Sequence, residues 1–519
     1  MAEPTEYFLT TDSEPDRTPI GDGTELGLSL GSEAKEEQRS MDRAILSGLF
    51  WTALGKWSTQ ALTWISTLIV ARILTPEDFG ILALALVFLG LVYLVNEFGL
   101  SAAVIHNHAL SPRLLSSLAS VSVLIGTVFA GITIALSGIV AGFFDEPAIR
   151  PVIMVLSGTL ILSGMQVVPR GLLTRELEFR TLAIVDGLQA LSAAAVTLLL
   201  ALAGLGYWSL VLGNVVAKLV ATGLVLWARP HPWGPLVTPQ KIMPELKFGG
   251  HMALANVGWY IYGNADSVVI GRILGTAPLG AYGIAANLAS APIAQVTALL
   301  SRVTAGVFSG VQDNARAVKR YLIGLTQFQA FLTFPAAAGM ALVAPEFVRT
   351  VLGDHWAMAI VPLQVLAICA MVRCLGPVVV QALVFTGHPE LNSRITFVGA
   401  LSLPLLFLAG ARWGVDGVAF GWLLGYGGVV FPTVLYFMRS RLGIGISVFV
   451  ASLVPPLFST VVMVVAVVAV DSILPANETG MIRLAAKVGT GVIIYAAVVF
   501  GVYRERIASL RALIQSARS

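Results

Sequence analysis

Charge and cysteine are both scarce in this chain. Its 519 residues hold two cysteines, and Asp, Glu, Lys and Arg together make up 12%. Cys369 and Cys374 lie in one apolar run at a spacing that fits no disulfide framework, zinc site or haem attachment, so both are expected to be membrane-buried thiols. Average chains are about one-quarter charged. With 56% apolar residues and a mean hydropathy of +0.84, an ordinary soluble protein is excluded. There is no P-loop, no dinucleotide-binding glycine fingerprint and no zinc-protease helix motif. These absences argue against an ATP-driven pump, and the short loops leave no room for a catalytic domain. No catalytic residue, metal set or nucleic-acid partner is expected. The period-two alternation of a membrane barrel is also missing, which leaves helices.

What is present is a series of apolar runs, near 47–71, 80–104, 114–142, 151–169, 181–204, 207–228, 249–271, 278–301, 321–344, 358–386, 391–411, 415–438, 446–471 and 481–503. Each has helix length for a bilayer, which takes about 20 residues. The expected fold is therefore an all-α polytopic membrane protein of about fourteen spans. The stretch Arg72–Gly80 joins the first two runs as a tight hairpin. Thr75 can cap the second helix, Pro76 suits its first position, and Glu77 and Asp78 meet the positive end of its dipole. The hairpin recurs as Arg272, Ile273, Leu274, Leu279 and Gly280. Leu202-Ala203-Gly204 with Gly206 and Gly213 recurs as Leu408-Ala409-Gly410 with Gly414 and Gly421. The chain is thus read as a duplication of six helices, with a final pair appended.

Basic residues set the orientation. With both termini cytoplasmic, inner segments hold 22 Lys and Arg against six in outer loops. Both copies of the hairpin then lie on the outer side, so the repeats are parallel. The expected divisions are an acidic, disordered cytoplasmic tail over 1–43 with net charge −7 and an N-lobe over 44–228. A proline-rich cytoplasmic linker follows over 229–248, then a C-lobe over 249–440 and the appended helices with a basic end over 441–519. The tail lacks the pattern of a signal peptide, so no cleavage is expected. Residues 44–519 carry +10, which suits anionic lipid headgroups.

The Arg72–Gly80 hairpin, the helix end Glu97-Phe98-Gly99-Leu100-Ser101-Ala102-Ala103 and the stretch from Pro169-Arg170 through Arg175-Glu176-Leu177-Glu178-Phe179-Arg180 carry a resemblance. Asn264-Ala265-Asp266 ahead of Ile270-Gly271-Arg272 adds to it. From about residue 45 to the end of the twelfth run, the chain resembles the polysaccharide-transporter family of the MOP superfamily, flippases of O-antigen, capsule and exopolysaccharide repeat units. The resemblance implies two lobes around a central cavity that opens alternately to each face of the bacterial cytoplasmic membrane. It implies a polyprenyl-pyrophosphate-linked oligosaccharide as substrate, polymerase or ligase machinery downstream, and H⁺ or Na⁺ coupling in place of a bound cofactor. A lipid II flippase and an ion-coupled small-molecule exporter share the plan and stand as rivals.

Charges within spans cost about 2.5–3.5 kcal/mol each, which makes them the first candidates for function. A pyrophosphate needs cationic donors, best supplied by a planar guanidinium. Arg373 is placed first for that role, with Lys56 and Lys218 beside it; an internal pair between Arg373 and Asp266, or snorkelling by the lysines, is the plainer reading. Asp266 beside Asn264 is the coupling candidate, against a simple helix–helix hydrogen bond, and Glu97 is a gate or interface candidate. Trp57 and Trp64 of the first run, and Trp259 and Tyr260 of the seventh, could stack on sugars, or could belong to the interfacial belt.

Overall fold

The computed structural model describes residues 59–106, 111–231, 233–234, 260–475 and 479–503, without the side chains of 95–103, 105–106, 292, 298–299, 301–303 and 305. The first series of helices is α1 (59–73), α2 (Pro76–His106), α3 (Pro112–Phe144), α4 (Ile149–Arg175), α5 (Phe179–Leu202) and α6 (Tyr207–Ala228). The second is α7 (260–273), α8 (Thr276–Val311), α9 (Ala315–Phe347), α10 (Ile360–Arg373), α11 (Gly376–Phe385), α12 (Glu390–Gly410), α13 (Gly414–Gly425) and α14 (Phe431–Leu442). Helices α15 (Ile446–Ile473) and α16 (Gly480–Val502) follow. Ten stretches among the described residues are long and apolar enough to cross a membrane; one of them, Glu390–Leu442, holds two of the expected runs, folded back between α12 and α13. The chain is a multi-pass, all-helical membrane protein.

Two expected runs are divided, and proline explains both. Pro377 has no N–H for the carbonyl of Arg373, four residues back, and α10 ends at that arginine. Pro432 withholds the same bond from Gly428, and the chain widens into a π turn over Tyr426–Val430 between α13 and α14. Elsewhere the helices outrun the apolar stretches. α2 continues to His106 and α4 to Arg175, so these expected loop residues are helical.

In a bilayer every freed carbonyl needs a protein partner. Pro335 and Pro345, inside α9, free the carbonyls of Phe331 and Ala341. Tyr495 of α16 donates its hydroxyl to Phe331 at 2.6 Å, and Gln364 of α10 donates its amide to Ala341 at 3.2 Å. Prolines thereby fix where α10 and α16 dock on α9. Lys487 of α16 reinforces that docking through Glu346 of α9 at 2.7 Å and Asp471 of α15 at 3.1 Å.

Helices α2 to α6 pack among themselves, as do α8 to α14, and the principal contact between the two groups is α2 against α8. At their starts the two helices cross with almost no separation. A Cβ on Gly80 would lie 1.9 Å from the Thr276 carbonyl oxygen, and one on Gly280 would lie 1.8 Å from that of Pro76. These positions correspond in the duplicated hairpins, so one contact is made twice about a pseudo-twofold axis. The arginines of the hairpins also reach across. Arg72 donates to the carbonyls of Thr350 (2.8 Å) and Val351 (3.2 Å), which a π turn ending at Leu352 leaves open. Arg272 sits 5.6 Å over the Phe143 ring of α3. Trp356 completes the seal by donating to the Ala71 carbonyl at 2.7 Å and meeting the Phe79 ring edge-on.

Candidate functional site

Behind that crossing lie three neighbouring chambers, with Leu86 on the wall of each. The first, about 820 Å³, is bounded by α1, α5 and α6. The third, about 490 Å³, is bounded by α7, α8, α10 and α13. Between them lies a waist of about 290 Å³ lined by Trp64 and Asn287, sharing wall residues with both.

Arg373 is exposed in the third chamber at the very end of α10. Its guanidinium carbon lies 4.2 Å from the Trp422 ring centroid, and it makes no ion pair or hydrogen bond among the described residues. A buried network sets that ring in place. Asp266 of α7 is only 6% exposed and accepts from Tyr282 Oη at 2.6 Å, Trp422 Nε1 at 2.7 Å and its neighbour Ser267 N at 2.7 Å. The internal Arg373–Asp266 pair is therefore not formed. Asp266 holds Trp422 by the indole edge, and the indole face holds Arg373 with all its donors available. Asn264 donates to the Tyr260 carbonyl at 2.9 Å. The Tyr260 hydroxyl crosses to the Val87 carbonyl of α2 at 2.9 Å.

The first chamber is different in character. Lys218 of α6 lies 5.9 Å from the Tyr93 ring centroid. The Tyr93 hydroxyl bonds to Thr159, and Asp186 is paired with Arg170 at 2.7 Å. Gln60, Gln189 and Asn214 supply carboxamides.

Of the residues singled out from sequence, Arg373, Asp266, Asn264 and Tyr260 come together in the third chamber; Trp64 lines the waist and Lys218 the first chamber. Lys56, Trp57 and Trp259 lie outside the described residues, as does the side chain of Glu97. Trp422 and Tyr282 escaped sequence reasoning, because their importance rests on contacts across helices. Asn214 and Gln189 escaped because neutral polar side chains are ordinary in membrane helices. Aligning the repeats would have drawn attention to Trp422, which falls opposite Asn214.

The family is shown by residues 69–361, which match the family described as polysaccharide biosynthesis protein. The chain belongs to this family. Among its relatives, the lipopolysaccharide biosynthesis protein WzxC of Escherichia coli (strain K12) is 26% identical over 394 residues, covering 74% of this chain and 79% of WzxC. The succinoglycan biosynthesis transport protein ExoT of Rhizobium meliloti (strain 1021) is 26% identical over 327 residues, covering 63% of this chain and 66% of ExoT. In fold, the chain is similar to the lipid II flippase MurJ in an inward closed conformation. The TM-score is 0.73 at 14% identity, covering 88% of this chain and 99% of that one.

Proposed function

We propose that this protein is a flippase that carries a polyprenyl-pyrophosphate-linked oligosaccharide from the inner to the outer leaflet of a bacterial cytoplasmic membrane. The observation that carries the reading is Arg373, a guanidinium with free donors, set on an aromatic face inside a cavity between two duplicated helix groups. That is an anion site in a place where an unneeded charge is costly. Lys218 adds a second cation across the waist. The family match and the transport role in ExoT's name support the same reading.

The two helix groups act as an N-lobe over 44–228 and a C-lobe over 249–440, joined by the linker over 229–248, with 441–519 appended and the acidic segment over 1–43 on the cytoplasmic face. Both termini are cytoplasmic by the 22-to-six distribution of bases, so the Gly80–Gly280 crossing is the outer seal of an inward-facing state. Asp266 couples the cycle. Its carboxylate holds Trp422 and that ring carries Arg373, so a cation, H⁺ or Na⁺, that competes for the carboxylate acts on the anion site through one ring. An exporter of organic cations is disfavoured, because both Asp266 and Asp186 are already engaged by donors. The product, displayed outside, passes to polymerase or ligase machinery.

The test is lipid analysis by mass spectrometry in a strain lacking the protein. An intact pyrophosphate-linked oligosaccharide should accumulate, cured by wild type and not by Arg373→Ala. An unchanged lipid pool in a strain without a redundant flippase refutes the function; accumulation cured equally by Arg373→Ala refutes the site.

A further inference from the structure

The two halves of the cavity come from corresponding positions of one duplicated sequence and differ in shape and in the side chains at three of those positions. Gly206 and Gly213 align with Gly414 and Gly421, and Gly206 and Gly414 both take positive φ at the start of the helix that follows. In this register Asn214 falls opposite Trp422, and Lys218 opposite Tyr426. The hairpin register places Gln60 opposite Tyr260. Three polar side chains in the first copy thus answer to three aromatic rings in the second.

The consequence is spatial. In the second copy Trp422 packs against Phe407 at 5.2 Å and Tyr262 at 6.2 Å between ring centroids, and Tyr426 is buried. The residues of α12 line no part of the third chamber. In the first copy the corresponding helix, α5, faces open space with Phe179, Ala183, Asp186, Gln189, Ala190 and Ala193, a helical stripe whose alanines leave room. The resulting volume of about 820 Å³ lies within the ~300–1,000 Å³ that accommodates a sizeable ligand.

Beside the single cation Lys218, the lining has the groups that suit a hydroxyl-rich ligand. Gln189 makes no side-chain hydrogen bond among the described residues. Asn214 donates once, to the Leu210 carbonyl at 2.9 Å, leaving its oxygen open. Gln60 has one long contact, 3.5 Å to Gln295. Carboxamides that both donate and accept match sugar hydroxyls, which do the same. The aromatic side chain of Phe179 supplies an apolar face for a pyranose ring.

We infer that the α1–α5–α6 chamber is a carbohydrate site. Gln60, Gln189 and Asn214 bind hydroxyls of the oligosaccharide while Arg373 holds the pyrophosphate on the opposite side of the waist. This rests on the flippase reading and adds an orientation to it: the substrate lies across both helix groups, its glycan in the first and its charged head in the second. A ligand bound in this way touches both halves at once, so filling the cavity ties their relative position to the presence of a complete glycan.

The experiment uses purified full-length protein in lipid nanodiscs. Its two probes are undecaprenyl pyrophosphate and the pyrophosphate-linked glycolipid that accumulates in the strain lacking this protein. Wild type should prefer the glycolipid. Gln189→Leu and Asn214→Leu should each weaken the glycolipid about three- to tenfold, the size of one net hydrogen bond, with no matching effect on the bare lipid. Ala190→Phe, which fills the chamber without removing a polar group, should abolish the preference. Arg373→Gln should weaken both probes. Each variant's melting temperature is read beside its affinity, and Ala190→Phe keeps the test alive if a leucine variant fails to fold. Variants that leave the preference intact, or weaken both probes equally, overturn the carbohydrate site and spare the flippase. A wild-type protein that binds neither probe overturns both.

Discussion

The crossing of α2 and α8 gives the sharpest prediction. Replacing Gly80 by alanine puts a Cβ 1.9 Å from the Thr276 carbonyl oxygen and 2.5 Å from its carbon, where real Cβ atoms essentially never come closer than 3.0 Å. The backbones must therefore part by about 1.1 Å, the difference of those two oxygen distances. The obstacle is main chain, with no side chain to rotate away, so overpacking should cost the closed arrangement about 1–3 kcal/mol. An arrangement with α2 and α8 apart does not pay that penalty. The equilibrium should then move toward opening at the hairpin end by about 5- to 150-fold. Spin labels at Glu77 and Ile273, both exposed, read the separation by pulsed electron resonance. Gly80→Ala and Gly280→Ala should each add a longer-distance population, and the double variant should add less than the sum, since the first substitution has already parted the helices. Gly283→Ala is the control, because a Cβ there meets nothing within 4 Å. An unchanged distance distribution in both single variants would show that the helices absorb a methyl without parting, and the reasoning fails.

Asp266→Asn keeps the shape but turns an NH₂ either toward Tyr282 and Trp422 together or toward the Ser267 N–H; it should lower stability by about 1–3 kcal/mol and reduce transport as Trp422→Phe does, measured by thermal melting and lipid accumulation. Lys487→Met should strand the carboxylate of Glu346, while Asp471 keeps Arg483 at 3.3 Å, and cost about 3–5 kcal/mol, seen as a lower melting temperature and faster proteolysis around α15 and α16. A milder loss of about 1–3 kcal/mol is expected for Tyr495→Phe, which leaves the Phe331 carbonyl unpaired. His231, beyond the end of α6, has its pKa lowered from 6.5 by burial. The unfolded state then binds the proton more readily. The local packing is stabilised in full above pH 6.5 and loses that stability as pH falls through the lowered folded value. Trp233, whose ring centroid is 4.9 Å from that of His231, reports the change; the fluorescence difference between wild type and Trp233→Phe should titrate below pH 6.5 and vanish in His231→Phe.

Local chemistry was legible from sequence wherever a bond closes within one turn. Thr75 and Asp78 cap α2 reciprocally, Asp78 N to Thr75 Oγ1 at 3.3 Å and Thr75 N to Asp78 Oδ2 at 2.9 Å, as the hairpin residues imply. The apolar runs became helices because a bilayer offers backbone groups no alternative partner, and length and hydropathy are sums over neighbours. The duplication, too, was plain in the recurring glycines.

What sequence could not supply was the partner of each group released or buried. Pro335 announces that the Phe331 carbonyl is free; that Tyr495 takes it is decided 164 residues away. By charge alone an ion pair between Asp266 and Arg373 stood as the alternative to separate roles, and packing put Trp422 between them instead. The same duplication left a larger chamber in one half and set rings at the matching positions of a smaller one, a difference visible once the helices stood side by side. Sequence by itself determined the helices, their repeat and the scarcity of charge, because these depend on contacts along the chain. Tertiary structure alone decided which charges stay unpaired and where volume remains, because both depend on side chains brought together from opposite halves.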